Sequence, residues 1–488
     1  MGENLKFILA GEIHEIAECA PTLTVLEYLR NVEELTGTKE GCAEGDCGAC
    51  SVVLGEWLDG QMRYRAINAC IQFLPTLHGK WLVTVEDLRR FADGGLHPAQ
   101  QAMVDRHGSQ CGFCTPGFVM SMFALLREGV KPTRQTVNDA LAGNLCRCTG
   151  YGPIADAAFD MFALNTEVAF DAEESAVISM LEELQTTNTV EVSMGGASFY
   201  APATIDVLAS LYEANPQATI LAGGTDVGIW VTKMHRGLGD VIYTGRVGDL
   251  QAIKVTDAGV EIGAAVTHSN AMVALAKLYP DMGELLRRFS SNQVRNAGTL
   301  GGNIANGSPI GDMPPALIAA NATLVLRKGD DAREVLIEDF FIEYGKQDRG
   351  EAEFLEKIIV PKPQLNSQYR NYKISKRFDQ DISAVCGAFN VTVVDGKVID
   401  ARIAFGGMAG IPHRAKGCEG ILVGSPWNMA TIAVAQKAME DDYAPMSDMR
   451  ASANYRMKVA KNLLHKFYLE TSTDIETRIV GDRTLAHA

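Results

Sequence analysis

Short apolar runs bounded by turn residues dominate the first part of the chain. Leu5, Phe7, Ile8 and Leu9 precede a turn at Gly11, and the runs Ser51-Val52-Val53-Leu54 and Trp81-Leu82-Val83-Thr84 repeat the pattern, so residues 3–84 are predicted to be strands and turns. Within them, residues 21–30 carry apolar positions at 23, 26 and 29, a helical spacing that predicts one crossing helix. Beyond Glu86 the texture becomes helical. His97-Pro98 opens one helix, Thr115-Pro116 a second through Leu125, Thr133 caps a third to Leu141, and Pro153 starts a fourth through Phe162. Proline is tolerated in a first turn because its missing N–H would be unpaired there. Residues 166–192 hold acidic and threonine-rich stretches around one weakly amphipathic piece, and read as a linker with room for a short helix. From residue 193 the chain is a glycine-rich mixture of strands and helices. From 367 it carries strands at 389–394 and 403–405 and a closing helix over 455–469. No internal repeat of solenoid period is present.

A chain of 488 residues exceeds the size at which one core keeps growing, so about two to four domains are expected. Hydrophobic residues at 47% and charged residues at 21% argue for folded domains throughout. The net charge of −16 argues against nucleic acid or an anionic membrane as partner, since both need a basic footprint. No apolar run approaches the roughly 18–20 residues of a membrane span. The N-terminal apolar patch follows an acidic residue and is too short for a signal peptide, and Lys6 stands where a myristoylation pattern needs Ser or Thr. A cytoplasmic location is the expectation.

The 11 cysteines change the picture. All but Cys386 and Cys418 lie before residue 150, and such crowding without an export signal points to metal. Cys42, Cys47 and Cys50, with Cys70 further on, match the plant-type [2Fe–2S] spacing. Three thiolates come from one loop that must curl round the cluster, and Gly41, Gly45 and Gly48 are the residues expected to permit the curl. Zinc is the competing reading, although it rarely uses a four-residue gap beside a two-residue one. Cys111 and Cys114 form CxxC, and Cys146 and Cys148 form CxC. The first pair sits where a helix begins, so its dipole is expected to favour thiolates, and the second lies in the loop between two helices. Taken alone this second set leaves zinc open, and its neighbour favours a second redox cluster. Cys19, Cys386 and Cys418 read as small buried residues.

Two glycine-rich stretches follow: residues 221–228 (LAGGTDVG), and residues 299–303 (TLGGN) with 308–312 (SPIGD). Adjacent glycines let backbone approach a pyrophosphate, and Asp226 and Asp312 stand beside the loops. Neither stretch is a GxGxxG fingerprint, so a Rossmann fold is not supported, and each alone is equally a tight turn.

Residues 37–50, 110–117 (QCGFCTPG) and 144–150 (NLCRCTG), both glycine loops and residues 447–456 (SDMRASANYR) together resemble the molybdenum hydroxylases over essentially the whole chain. The resemblance is to the small iron–sulfur/flavin subunit of their bacterial xanthine-oxidising branch. It implies a multidomain α+β fold. Residues 1–84 would be a β-grasp ferredoxin-like domain, 85–165 a four-helix [2Fe–2S] domain, 166–192 the linker, 193–366 an FAD-binding α+β domain and 367–488 a CO-dehydrogenase-flavoprotein-like α+β domain. The cluster ligands would be Cys42, Cys47, Cys50 and Cys70, then Cys111, Cys114, Cys146 and Cys148. FAD contacts would fall on Ala222, Gly223, Gly224, Thr225, Asp226 and Val227, then on Thr299, Gly302, Asn303 and Asp312, with Phe289 against the flavin ring and Leu355 and Lys373 as further contacts. Phe289 reads equally as a core residue. Residues 377–381 (RFDQD) would influence flavin and NAD, or form a solvated charged loop.

The resemblance further implies a molybdopterin on a partner subunit that hydroxylates xanthine or hypoxanthine. Electrons would pass through the helical-domain cluster, the ferredoxin-type cluster and FAD to NAD+, in a dimer of heterodimers. No residue of this chain would be catalytic for purine hydroxylation. Three departures matter. The chain stops at Ala488, short of a molybdopterin region, so a second subunit is expected. The first flavin loop reads Gly-Gly-Thr-Asp where relatives carry Asn-Thr-Glu, so the acidic role is expected on a shorter arm. No cysteine lies in the linker to support a disulfide switch towards oxygen.

Overall fold

The computed structural model describes residues 2–164, 167–475 and 477. The chain forms two compact units, Met1–Gly248 with Ser290–Gly298, and Asp249–Phe289 with Thr299–Ala488. The flavin region expected as one block over 193–366 is thus divided between them.

The first unit opens on a five-stranded sheet ordered Glu12–Ile16, Leu5–Leu9, Trp81–Val83, Ser51–Leu58, Gln61–Asn68. Leu5–Leu9 pairs antiparallel with Glu12–Ile16 and parallel with Trp81–Val83, the ferredoxin-like arrangement. The helix expected over 21–30 is shorter and starts later, at Val25–Glu27, before widening into a π turn at Tyr28–Val32. Thr24 fixes that start: its hydroxyl accepts from Glu27 N at 3.1 Å, and the Glu27 carboxylate accepts from Thr24 N at 3.1 Å.

Four helices follow as expected, Pro98–Asp105, Thr115–Arg127, Arg134–Leu141 and Gly152–Asp160. The proposed linker is the chief departure: Glu167–Glu183 is a helix, and Phe170, Val177, Leu181 and Leu184 are buried in the same core as the cluster helices. Phe170 stacks on Trp81 at 6.0 Å, meets Phe91 edge-on at 5.0 Å and carries the Arg127 guanidinium 3.9 Å from its centroid. Acidic residues on its outer face diluted the apolar stripe in the sequence; two of them are fastened, Glu173 to Arg90 at 2.8 Å and Glu174 to the Tyr64 hydroxyl. A four-stranded sheet ordered Val190–Met194, Ala197–Ala201, Val241–Tyr243, Thr219–Leu221 completes the unit.

The second unit contains two layers of sheet and helix. An antiparallel sheet ordered Ile253–Val255, Gly259–Gly263, Phe354–Pro361, Thr323–Lys328, Asp331–Leu336 shares a core with the helices Pro280–Arg287, Leu300–Asn306 and Met313–Ala319. A second sheet, Ser367–Ile374, Val385–Val394, Lys397–Gly406 and His413–Arg414, is covered by Lys416–Leu422, Met429–Asp442 and the closing helix Ala453–Ser472.

Candidate functional sites

Cys42, Cys47, Cys50 and Cys70 meet at one end of the ferredoxin-like sheet. Cys42 shares hydrogen bonds with Cys47 and Cys70, and Cys70 with Cys50, so all four thiols lie in one linked set. The loop curls as expected at Gly45 and Gly48, both with positive φ, and also at Ala43, which the sequence reading passed over. Gly41 serves differently: a Cβ there would lie 2.8 Å from Cys47 Sγ. The curl turns three backbone N–H groups onto Cys42 Sγ, from Glu44 at 3.4 Å, Asp46 at 3.3 Å and Cys47 at 3.4 Å. The Cys47 hydrogen bond, ahead of that from Cys70, holds the Cys42 thiol far below the ordinary range, while Cys47 and Cys70 are pushed up. Proton sharing of this kind marks thiols close enough to bind one centre. Among the described residues no three His, Cys, Asp or Glu side chains are arranged around a single metal ion.

The second set pairs Cys111 with Cys148 and Cys114 with Cys146. Thr149 donates to Cys146 Sγ from its backbone N–H at 3.5 Å and its hydroxyl at 3.2 Å. A backbone N–H of Phe113, ahead of Cys148, lowers the Cys111 thiol. The expected helix-end effect does not govern Cys114: burial, then its bond with Cys146, pushes that thiol up to about 12. Cys19, Cys386 and Cys418 are buried, as expected, and burial raises Cys19 to about 11.

The first glycine loop, Ala222 to Asp226, joins the strand Thr219–Leu221 to the helix Val227–Thr232. A Cβ on Gly223 would lie 2.0 Å from Ala297 O, so only glycine fits. The loop and the helix after it pack beside the first thiol set: a Cβ on Gly224 would lie 3.7 Å from Ile71 O. A Cβ on Gly228 would lie 2.4 Å from Ile71 O, next to Cys70, and Thr232 Oγ1 donates to Ala43 O at 2.7 Å. Burial raises the Asp226 carboxyl above its ordinary value.

In the second unit Thr299 begins the second loop, its hydroxyl accepting from Gly302 N at 3.0 Å. Asn303 Oδ1 is buried and without a hydrogen-bond partner among the described residues, an acceptor that a bound donor would satisfy. Asp312 and Lys373, both expected to touch the cofactor, meet each other at 2.6 Å with side chains 2% exposed. Ser383, which the sequence reading missed, bridges them, donating to Asp312 Oδ1 at 2.6 Å and accepting from Lys373 Nζ at 2.8 Å. Leu355 lies in the apolar core on the strand Phe354–Pro361. Phe289 is half-buried rather than a core residue, its ring 4.6 Å from His268. Residues 377–381 are held rather than free: Asp381 accepts from Arg377 N at 2.9 Å, and Arg288 donates to Phe378 O at 3.2 Å with its guanidinium 4.2 Å from the Phe378 ring. In the 447–456 motif Asp448 accepts from Arg456 at 2.6 Å. Desolvation raises the Asp448 carboxyl, and bonds from Ala451, Arg450 and Arg456 outweigh it, bringing it down to about 2.

Four families match successive parts of the chain. They are the 2Fe-2S iron-sulfur cluster binding domain over residues 7–74, the [2Fe-2S] binding domain over 84–159, the FAD binding domain in molybdopterin dehydrogenase over 191–363, and the CO dehydrogenase flavoprotein C-terminal domain over 370–471. Xanthine dehydrogenase 1 of Arabidopsis thaliana is 31% identical over 93% of this chain, which spans 38% of that relative's length. Among solved structures, a carbon monoxide dehydrogenase of Hydrogenophaga pseudoflava superposes with a TM-score of 0.53 and 25% identity, over 55% of this chain and 94% of its own. Quinoline 2-oxidoreductase of Pseudomonas putida 86 superposes with a TM-score of 0.51 and 26% identity, over 56% of this chain and 95% of its own.

Proposed function

We propose that this chain, which belongs to the molybdenum hydroxylase family as its iron–sulfur and flavin portion, carries electrons for a xanthine dehydrogenase. In this reading a molybdopterin-bearing partner oxidises hypoxanthine and xanthine, and its electrons cross the two [2Fe–2S] centres to FAD and leave as hydride to NAD+. The assembly is a dimer of heterodimers in the cytoplasm. The carrying observation is the pair of four-thiol sets gathered on one compact unit, with the first glycine loop packed on the segment beside Cys70. Likeness to xanthine dehydrogenases supports the substrate. Likeness to quinoline and carbon monoxide enzymes supports the rival, a sibling hydroxylase with another substrate.

Bound iron–sulfur centres would supply one-electron steps, and FAD the exchange between one and two electrons. The chain's own residues do the rest. Cys42, Cys47, Cys50 and Cys70 hold one centre, and Cys111, Cys114, Cys146 and Cys148 the other. The N–H groups on Cys42 and Cys146 stabilise negative charge on sulfur. By family likeness the flavin contacts of the first unit would be Ala222, Gly223, Gly224, Thr225, Asp226 and Val227, and those of the second Thr299, Gly302, Asn303 and Asp312. Phe289 would meet the flavin ring, with Leu355 and Lys373 as further contacts.

Iron, acid-labile sulfide and FAD are measured per purified chain. Close to four irons, four sulfides and one FAD are expected. A colourless zinc protein without flavin would sink the reading. NADH formation by the assembled enzyme with xanthine, an aldehyde and a heteroaromatic then separates the leading reading from its rival.

A further inference from the structure

Gln293 lies on the segment Ser290–Gly298, which packs within the first unit. It is fully buried among groups of both cysteine segments. Its Nε2 is 3.2 Å from Ser51 Oγ, 3.0 Å from Ser121 Oγ and 3.0 Å from Asn144 Oδ1. Ser51 follows Cys50 of the first set. Asn144 precedes Leu145 and Cys146 of the second, and Ser121 lies on the helix that follows Cys114.

The two hydrogens of Gln293 Nε2 are shared among these three acceptors. Ser51 Oγ donates to Gly48 O at 2.8 Å and accepts from Asn144 Nδ2 at 3.2 Å. Ser121 Oγ donates to Asn144 Oδ1 at 2.7 Å. Asn144 Nδ2 also donates to Gly48 O at 3.0 Å, so both ends of that amide are fully used. Only donors from Gln293 complete the set. Its Oε1 takes no hydrogen bond among the described residues and faces Gly143, where a Cβ would lie 2.0 Å from it. Gly48, between Cys47 and Cys50, presses so closely that a Cβ there would lie 2.2 Å from Gly143 O.

This amide hub sits beside a backbone–backbone bond between the two thiol segments: Leu145 N donates to Cys47 O at 3.0 Å. That bond joins the backbone of a first-set ligand to the residue before a second-set ligand. With both centres bound, it would offer a short route for one electron between them, with no proton moved and no covalent bond changed. Electron tunnelling through a hydrogen bond falls steeply as the bond lengthens, so whatever fixes Asn144 fixes the coupling.

We infer that Gln293 and Asn144 are positioning residues that clamp the Leu145–Cys47 hydrogen bond and so set the rate of electron exchange between the two cysteine-held centres. The inference rests on reading both thiol sets as cluster ligands. It assigns a role in that exchange to a glutamine carried by the flavin region of the chain.

The test uses the full chain in its assembled enzyme and the variant Gln293→Met, which keeps the side-chain length and removes the donors. Iron content and the separate paramagnetic resonance signals of both reduced centres are expected to stay as in the parent. The spin–spin interaction between them is expected to weaken. On rapid mixing with NADH the first-set signal should rise at the parental rate, and the second-set signal several-fold more slowly. Ser121→Ala, which removes one acceptor at the hub's edge and leaves the backbone intact, should change both readouts in the same direction by less, and it serves if Gln293→Met does not fold. Full iron with parental interaction and parental rates in these variants would overturn the inference. A parent protein without two distinguishable cluster signals would overturn the proposed function itself, which is a different result.

Discussion

The two cysteine sets each gather four thiols, but in different surroundings. Cys50 and Cys70 are 1% and 3% exposed and Cys42 and Cys47 half-buried, whereas Cys111 and Cys148 are exposed and Cys114 and Cys146 half-buried. Hydrogen bonds to sulfur and access of water both tune such centres. The first set is therefore the better shielded from water, and the second the more open to it. The difference also says where damage spreads. A buried ligand belongs to a core, while an exposed one belongs mainly to its metal.

The largest expected effect breaks the comparison outright. Cys70→Ser should remove the first centre's paramagnetic signal and about half of the iron, and lower the melting temperature as well. Cys148→Ser should remove the second signal alone, with little loss of melting temperature. Equal thermal losses in the two variants would show that burial of the ligand does not distinguish them.

Next in size is Phe170→Ala. Its ring joins Trp81 of the first region to Phe123 and Arg127 of the second, and truncation should cost about 3–5 kcal/mol by chemical denaturation. Separate transitions for the two regions in that variant would mean that this ring cluster is what makes them unfold together.

A third prediction concerns acid. Burial is the main cause holding His97 and His78 at about 4, and both therefore fold neutral. His97 Nδ1 accepts from Ala99 N at the start of a cluster helix, and His78 Nδ1 accepts from Lys6 N in the ferredoxin-like sheet. Between about pH 6.5 and 4 the unfolded chain binds protons that the folded chain refuses, so stability is complete above pH 6.5 and falls as pH drops through this window. Each histidine should account for roughly 2–3 kcal/mol of that loss. Denaturation at pH 7 and pH 4.5 measures it. His97→Gln should flatten the slope for the helical region more than for the sheet.

The smallest effect sharpens the contrast at the open set. Thr149→Val deletes one hydroxyl donor to Cys146. The second centre's midpoint potential should move to more negative values, because the reduced, more negative centre loses a stabilising bond, while the first centre's stays put. Redox titration followed by resonance signals reads both at once.

Much of this was legible in the residues. The CxxxxCxxC run and the CxxC and CxC pairs are local patterns, and a loop that must wrap a cluster leaves its spacing in the sequence. Thr133 and Pro98 marked helix starts because caps are local as well. What failed was set by distance in the fold. The apolar stripe of Glu167–Glu183 is thin, and its burial depends on aromatic partners remote in sequence, so it read as a linker. Ser383 carries no signal of its own; only the pairing of Ser367–Ile374 with Val385–Val394 brings it beside Lys373 and Asp312. Gln293 lies between two flavin motifs, with nothing to suggest that it belongs with the cysteines.

The segment Ser290–Gly298 also orders events in time. The first unit is not closed when Gly248 leaves the ribosome, because its buried glutamine and the Ala297 carbonyl that backs Gly223 have yet to be made. At about 5–20 residues per second, the ribosome needs roughly 3–10 s to supply that segment. During this interval the nascent thiols of both sets lie in an unfinished core. Stalling translation before and after residue 298 and comparing protease resistance would date the closure.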